Sequence, residues 1–140
     1  MEIICTENIS KIYSKGRNEV NALDGVSLSV MRGEFLAVMG QSGSGKSTLL
    51  NILGCLDIPT SGRYYLFGKS SDALDEEELS GIRNRRVGFV FQNYNLISSL
   101  SAVENVELPL LYRGIEREER RKTALEALDK VGLSQRADHR

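Results

Sequence analysis

The length, composition and charge of the sequence limit the kind of protein it encodes. It has 140 residues, of which 41% are hydrophobic and 26% charged, as expected for a soluble globular protein of one domain or part of one. The net charge of −1 gives no overall attraction for nucleic acid, and no apolar run reaches the length of a membrane span. The two cysteines form no disulfide framework, and we expect Cys55 to be a small buried side chain in a reducing compartment.

The beginning of the chain predicts the antiparallel part of a sheet. Residues 2–13 carry loosely alternating apolar side chains, which predict a first strand, and residues 14–18 form a turn cluster. Residues 20–30 predict one or two further strands, because apolar side chains alternate there with serines. An antiparallel beginning before a parallel core predicts a mixed sheet.

A glycine-rich stretch lies between a short apolar run and a helical pattern. Residues 34–39 predict a buried parallel strand and residues 46–53 a helix, and Gly40–Ser47 fits the phosphate-binding pattern of a glycine, four free positions and Gly-Lys-Ser. Glycines let the backbone curl around a phosphate, and the helix adds unpaired N–H groups and the positive end of its dipole. Lys46 would contact the β- and γ-phosphates, and the Ser47 hydroxyl would bind Mg²⁺. The alternative, a flexible Gly/Ser connector, is disfavoured by the flanking strand and helix.

The region after this helix predicts one further helix and another buried strand. Residues 63–67 predict a short strand, and Asp72 is a candidate cap for a helix over 74–83. Residues 87–91 form a second continuous apolar run, which ends at Gln92.

The last third of the sequence predicts two helices. Ser101–Glu104 fits a capping box, and we expect Pro109 to kink or end the first part of the helix and Gly114 to close it. The last helix covers about 116–131. It places four apolar side chains on one face: Ala124, Leu125, Leu128 and Val131.

Gln92 and Gly40 each follow a predicted buried strand directly. If the two strands are parallel members of one sheet, both residues reach the crevice at the carboxyl ends of the strands. A glutamine there offers its carbonyl to Mg²⁺ and its amide group to the attacking water or the γ-phosphate. From spacing alone, a polar residue that happens to end a strand is the favoured interpretation.

The chain resembles the ATPase subunit of an ATP-binding cassette transporter. Three features carry the resemblance: Tyr13, the loop at 40–48 and the run 87–92. Three stretches look more closely like the macrolide-exporter and lipoprotein-release branch: 44–62, 82–97 and 102–110. The likeness runs from Ile3 nearly to Arg140 and departs at Ser98 and Ser99, where a proline would be usual.

The resemblance implies an α/β fold, a P-loop NTPase core with a mixed or parallel sheet. Within one nucleotide-binding domain, residues 1–33 would form an antiparallel β part, 34–92 part of the P-loop core and 93–140 the start of a helical subdomain. The residues implied to bind ATP are Tyr13, Gly40, Gln41, Ser42, Gly43, Ser44, Gly45, Lys46, Ser47 and Thr48. Ser47 and Gln92 would share Mg²⁺, and Gln92 is the implied catalytic residue. Tyr13 would stack on adenine, although from the residues alone packing on the sheet is an equal alternative.

The resemblance also implies partners and a location. A transmembrane permease subunit would dock near Leu96–Leu100, and a second ATPase subunit would complete a homodimer. The protein would act peripherally on the cytoplasmic face of the cell membrane, where the complete form would couple ATP hydrolysis to export. Nucleic acid is not an expected partner.

Four parts that this family needs do not occur in the sequence. They are the Leu-Ser-Gly-Gly signature, the Asp and the Glu that end a further apolar strand, and a later switch histidine. The histidine that does occur, His139, is interpreted as a surface residue just ahead of the signature position. The sequence therefore looks like the N-terminal half, or somewhat more, of the cassette, and we expect it to bind ATP without turning it over. Two alternatives stay open, a nucleotide-binding module without hydrolysis and another P-loop protein such as a small kinase or a DNA-repair ATPase.

Overall fold

The computed structural model describes residues 1–16 and 18–140, which form two compact units, Met1–Gly88 and Phe89–Arg140. The strands within these residues are β1 (Glu2–Lys15), β2 (Asn18–Met31), β3 (Ser61–Leu66) and β4 (Lys69–Ser70). The α-helices are α1 (Lys46–Leu53), α2 (Glu76–Arg85), α3 (Ala102–Tyr112) and α4 (Arg117–Lys130). The division into parts at residues 33 and 92 stays a prediction.

The first unit is built on an antiparallel sheet with the strand order β2-β1-β3-β4. The central strand β1 places Thr6 opposite Leu28 of β2 on one side and opposite Tyr64 of β3 on the other. Three predicted strands are confirmed: 2–13, 20–30 and 63–67. The predicted turn at 14–18 includes Arg17, which lies outside the described residues.

Helix α1 packs its buried face on this sheet. Leu49 and Ile52 join a core of sheet side chains: Ile9, Leu23, Tyr64 and Leu66. The phenol of Tyr64 donates a hydrogen bond to the carbonyl of Leu53 at 2.6 Å, and burial raises the pKa of Tyr64, so the phenol remains a donor. The prediction that Cys55 is buried is confirmed, and burial raises the pKa of its thiol. The glycine-rich loop before α1 is therefore attached to a packed helix.

Two strands predicted from the sequence are not formed. Residues 34–39 and 87–91 have no regular secondary structure, and the described sheet is antiparallel throughout, with no strand of it paired to either run. A strand persists only when a neighbour pairs with its N–H and C=O groups, and neither run has such a neighbour among the described residues. The exposed fraction is 95% for Phe35, 89% for Met39 and 97% for Val90.

Helix α2 begins at a different cap from the one predicted. The prediction of Asp72 is wrong, because it lies in the short 3₁₀ turn Ser71–Ala73. Asp75 is the N-cap, and its carboxylate accepts a hydrogen bond from the N–H of Glu78 at 2.8 Å. The Glu78 side chain accepts in return from the N–H of Asp75 at 3.3 Å, so two donors at the helix start are satisfied.

The second unit packs α3 against α4. Its core consists of Val103, Ala124, Leu128 and Ala137. The predicted capping box is confirmed, since the N–H of Ser101 donates to Glu104 at 2.7 Å and the N–H of Glu104 donates to Ser101 Oγ at 3.4 Å. The next two N–H groups of α3, those of Ala102 and Val103, donate to the carbonyls of His139 and Ala137 at 2.8 and 2.9 Å.

Both helices of the second unit end at a glycine with positive φ. Gly114 (φ 74°) follows α3 and Gly132 (φ 73°) follows α4, as the sequence pattern predicted for Gly114. The helix predicted over 116–131 is confirmed as α4. Pro109 does not end the first part of α3, because the helix continues to Tyr112 and Arg113 donates to the Pro109 carbonyl at 3.2 Å; the alternative, a kink at Pro109, stays a prediction.

Candidate nucleotide-binding site

The glycine-rich loop runs from Gly40 into the first turn of α1. The N–H of Ser44 donates to the carbonyl of Gln41 at 3.2 Å, which closes a tight turn inside the loop. The N–H of Leu49 donates to the Gly45 carbonyl at 2.8 Å, and this is the first hydrogen bond of the helix. The three N–H groups of Lys46, Ser47 and Thr48 lie ahead of that bond at the positive end of the helix dipole, where they suit an anion.

Two glycines of the loop are required for different physical reasons. Gly43 has a φ of 81° with open space around it, so the backbone conformation alone favours glycine. Gly45 has a φ of 86°, and a Cβ there would collide with the carbonyl oxygen of Ala22 and lie 3.0 Å from a methyl of Leu23. The loop therefore lies directly against the backbone of β2, and that close contact fixes its position on the sheet.

The side chain of Lys46 folds back across the loop. Its ammonium donates to the carbonyls of Gly40 and Gln41 at 2.8 and 2.6 Å and to Ser44 Oγ at 3.2 Å. These contacts place a positive charge against the backbone of the loop that leads into α1. The ammonium can exchange its carbonyl partners for the oxygens of an anion held there, because a hydrogen bond between two charged groups is stronger than one to a neutral acceptor.

Ser47 is the residue of the loop best suited to hold a metal ion. Its hydroxyl is exposed in the first turn of α1, directly after Lys46. Among residues 1–16 and 18–140 no group of three or more His, Cys, Asp or Glu side chains could hold a metal. A hydroxyl is compatible with the usual binding of Mg²⁺, which takes few protein ligands together with water and substrate phosphates.

Strand β1 brings Tyr13 to the start of α1. The phenol donates to Asp57 Oδ2 at 2.7 Å, and the side chain of Thr48 lies near it. The bond to Asp57, with some desolvation, raises the pKa of Tyr13, and Thr48 opposes this rise. Two of the predicted site residues, Tyr13 and Thr48, are thus adjacent.

Asp57 and Lys11 both contact Tyr13, and neither was predicted from the sequence as a site residue. Lys11 Nζ donates to Asp57 Oδ1 at 2.6 Å and lies 5.1 Å from the centroid of the Tyr13 ring. Desolvation alone would raise the pKa of Asp57, but hydrogen bonds from Lys11, Tyr13 and the N–H of Ile58 lower it overall, so the carboxylate is ionised at neutral pH. The position of Lys11 two residues before Tyr13 indicates that both side chains lie on the same face of β1, and this spacing could have identified Lys11 as a neighbour of Tyr13.

Gln92 belongs to the second unit, and the loop Gly40–Thr48 belongs to the first. Its side chain is exposed at the end of the irregular apolar run 87–91. The adjoining segment Leu96–Leu100, predicted to lie near a docking surface, has apolar side chains in contact with solvent, and Leu96 is 64% exposed. The roles of Gln92 and of this segment stay predictions.

No helix within the described residues is both long enough and apolar enough to cross a membrane.

Curated proteins similar to this chain are ABC transporter components. The family model described as ABC transporter matches residues 23–140. The macrolide export ATP-binding/permease protein MacB of Hyphomonas neptunium is 50% identical over 138 residues, which cover 99% of this chain and 21% of that protein. An uncharacterized ABC transporter ATP-binding protein of Thermotoga maritima is 49% identical over 140 residues, which cover all of this chain and 58% of that protein. The chain thus spans between a fifth and about three fifths of the length of these relatives.

Solved structures agree with this result. The ATP-binding cassette MJ0796, described in a dimeric post-hydrolysis state bound to ADP and Pi, is 46% identical, with a TM-score of 0.89 over 99% of this chain and 61% of that chain. A second dimeric structure of the same bacterial ABC transporter cassette also gives a TM-score of 0.89, at 47% identity. The predicted fold class is therefore confirmed. The chain belongs to the ABC transporter family and has the fold of its ATP-binding cassettes.

Proposed function

We propose that this chain binds ATP together with Mg²⁺ in the loop Gly40–Thr48, as nucleotide-binding part of an ABC transporter. The observation that carries the proposal is the position of the Lys46 ammonium, which donates to the carbonyls of Gly40 and Gln41 and to Ser44 Oγ within the loop that leads into α1. A loop that holds a positive charge and ends at a helix N-terminus favours a multiply charged phosphate group. The solved cassette bound to ADP and Pi supports the same assignment for this chain.

Each site residue has a chemical role in this proposal. The N–H groups of the loop and of α1 hold the phosphate oxygens, Lys46 neutralises the β- and γ-phosphates, and the Ser47 hydroxyl binds Mg²⁺. Tyr13 stacks on the adenine. Gln92 offers its carbonyl oxygen to Mg²⁺ and its amide group to the water that attacks the γ-phosphate. Mg²⁺ held by Ser47 and Gln92 would supply positive charge against the phosphates.

The whole protein is proposed to use ATP hydrolysis for export. Relatives named as macrolide export ATP-binding/permease proteins support both the direction of transport and a permease as partner. Solved cassettes described as dimeric support a second ATPase subunit as the other partner. Such an ATPase works peripherally, on the cytoplasmic side of the cell membrane where the permease is embedded. The family match makes a small kinase or a DNA-repair ATPase the weaker alternative.

The test of ATP binding is the variant Lys46→Ala. Loss of a hydrogen bond between charged groups costs about 1.5–3 kcal/mol, so affinity for ATP should fall roughly ten- to a hundredfold. A fluorescent ATP analogue titrated into the purified chain with Mg²⁺ measures this change. Lys69→Ala is the matched control, because Lys69 is an exposed lysine of the same unit that pairs with Glu78 at 3.6 Å. An unchanged dissociation constant for Lys46→Ala would remove the loop from the proposal.

A further inference from the structure

We propose that Lys11 and Asp57 are positioning residues for the nucleobase, and that they act by holding the ring of Tyr13 beside Thr48 with one face free. This inference rests on the proposed function, in which Tyr13 stacks on the base. Neither Lys11 nor Asp57 contacts the nucleotide. Both act through the phenol and the ring of Tyr13.

The Asp57 carboxylate is held by three donors, which leaves it little freedom. Tyr13 Oη donates to Oδ2 at 2.7 Å, while Lys11 Nζ and the N–H of Ile58 donate to Oδ1 at 2.6 and 2.8 Å. Lys11 is nearly buried in this contact, with 12% of its side chain exposed against 26% for Asp57. A charged acceptor with restricted access to water binds the phenol more firmly than water would.

The loop that carries Asp57 is itself fixed to α1 and β1. The N–H of Leu56 donates to the carbonyl of Asn51 in α1 at 2.8 Å. The N–H of Thr60 donates to Ser10 of β1 at 2.8 Å, and the Thr60 hydroxyl accepts from Ile12 at 3.0 Å. The acceptor for the Tyr13 phenol therefore has a defined place between the strand and the helix.

Lys11 determines which face of the Tyr13 ring is available. Its ammonium lies over the ring at 5.1 Å from the centroid, within the distance of a cation–π contact. A base that stacks on Tyr13 must use the opposite face. Tyr13 is 41% exposed, so a base can reach the side chain while Asp57 holds the phenol.

A fixed ring improves binding because the side chain of Tyr13 has already lost its conformational entropy before the ligand binds. An immobilised side chain costs about 0.5–1.5 kcal/mol on binding, so release of the ring should weaken affinity about two- to tenfold. Only ligands with a base should show this loss. A ligand that consists of phosphates alone uses the loop Gly40–Thr48 and should not respond to Asp57.

The experiment compares ATP with inorganic tripolyphosphate, both with Mg²⁺, by calorimetric titration of the full chain. Asp57→Ala should weaken ATP about two- to tenfold and leave tripolyphosphate unchanged. Tyr13→Phe keeps the ring and removes only the anchored oxygen, so it should show the same selective loss. The double variant should lose no more than Asp57→Ala alone, because that change already breaks the contact between the phenol and the carboxylate. Glu7→Ala is the control for charge, since this exposed carboxylate of β1 faces Arg63 at 3.9 Å.

Several outcomes would overturn the inference. It fails if Asp57→Ala keeps the parental ratio of ATP to tripolyphosphate affinity. With both affinities unchanged Asp57 has no role in binding, and with both weakened equally its role is purely structural. Additive losses in the double variant would also contradict it. Tyr13→Phe decides the question if Asp57→Ala does not fold. Lys46→Ala distinguishes the two possible failures. If the proposed function is wrong, this variant binds tripolyphosphate as tightly as the parent chain. If only the inference about Lys11 and Asp57 is wrong, the variant still binds tripolyphosphate more weakly.

Discussion

Tyr13 has a phenol anchored by Asp57, and 41% of the residue is exposed. Tyr13→Ala should weaken ATP and GTP alike, since stacking uses the π-face that every base has, with a loss of about 1–3 kcal/mol. Tyr13→Trp should lose less than Tyr13→Ala, because it restores an aromatic face but not the phenol that Asp57 anchors. Titration of both nucleotides into the three proteins measures these changes. If the alanine variant binds like the parent chain, the ring only packs against the sheet.

The residues around Tyr13 differ in how far the sequence could predict them. Lys46 and Ser47 follow from a contiguous pattern, because a phosphate loop is a local feature of the chain. Asp57 could not be found in this way: its partner Lys11 lies on β1, far away in sequence, and a single aspartate in a turn-rich segment predicts only a turn. Contacts that depend on pairing of distant segments leave no periodic signal.

The segment before α3 is fastened to that helix by one side chain. Asn105 Oδ1 accepts from the N–H of Ile97 at 2.8 Å, and its Nδ2 donates to the carbonyls of Ile97, Leu100 and Ser101 at 3.2, 3.3 and 3.0 Å. Asn105→Ala removes the acceptor of the Ile97 N–H and the side-chain donor to the three carbonyls, at a cost of about 1–3 kcal/mol, although the carbonyls of Ile97 and Ser101 keep the N–H groups of Leu100 and Asn105 as donors. The amide hydrogen of Ile97 should therefore exchange at least tenfold faster, as measured by amide-resolved hydrogen exchange.

Asn105→Asp is the matched variant for this prediction. The carboxylate keeps an acceptor for the N–H of Ile97 but has no donor for the three carbonyls. Slow exchange of the Ile97 amide should persist, while the stability of the second unit still falls. Equal exchange rates in the parent and in Asn105→Ala would show that the segment holds its shape without this side chain.

Secondary-structure elements were predictable where their signals are local. The capping box at Ser101 and the closing glycine at Gly114 each depend on a few neighbouring residues, and both were found. The runs 34–39 and 87–91 have strand composition, yet a strand also needs a partner that composition cannot supply. On α4 the predicted apolar face is only partly buried, since Ala124 and Leu128 pack inside while Val131 is exposed.

We predict that the 140-residue chain does not turn over ATP. Phosphoryl transfer depends on positioning and charge stabilisation, and the sequence offers no Asp-Glu strand end to supply a base and a second Mg²⁺ contact. Steady-state phosphate release with Mg²⁺ and ATP should stay at the level of Lys46→Ala. Turnover by the parent chain that disappears in Lys46→Ala would reveal a catalytic carboxylate elsewhere in these residues.

The carbonyls of Ala137 and His139, which close the first turn of α3, also determine when that turn can be completed during synthesis. The ribosome releases α3 before these residues, so its two N–H donors at first meet only water. An isolated helix of this length is marginal in water, because nucleation is costly. We therefore expect the second unit to fold late, after residue 139 has left the exit tunnel, whereas β1 and β2 can pair earlier from adjacent sequence.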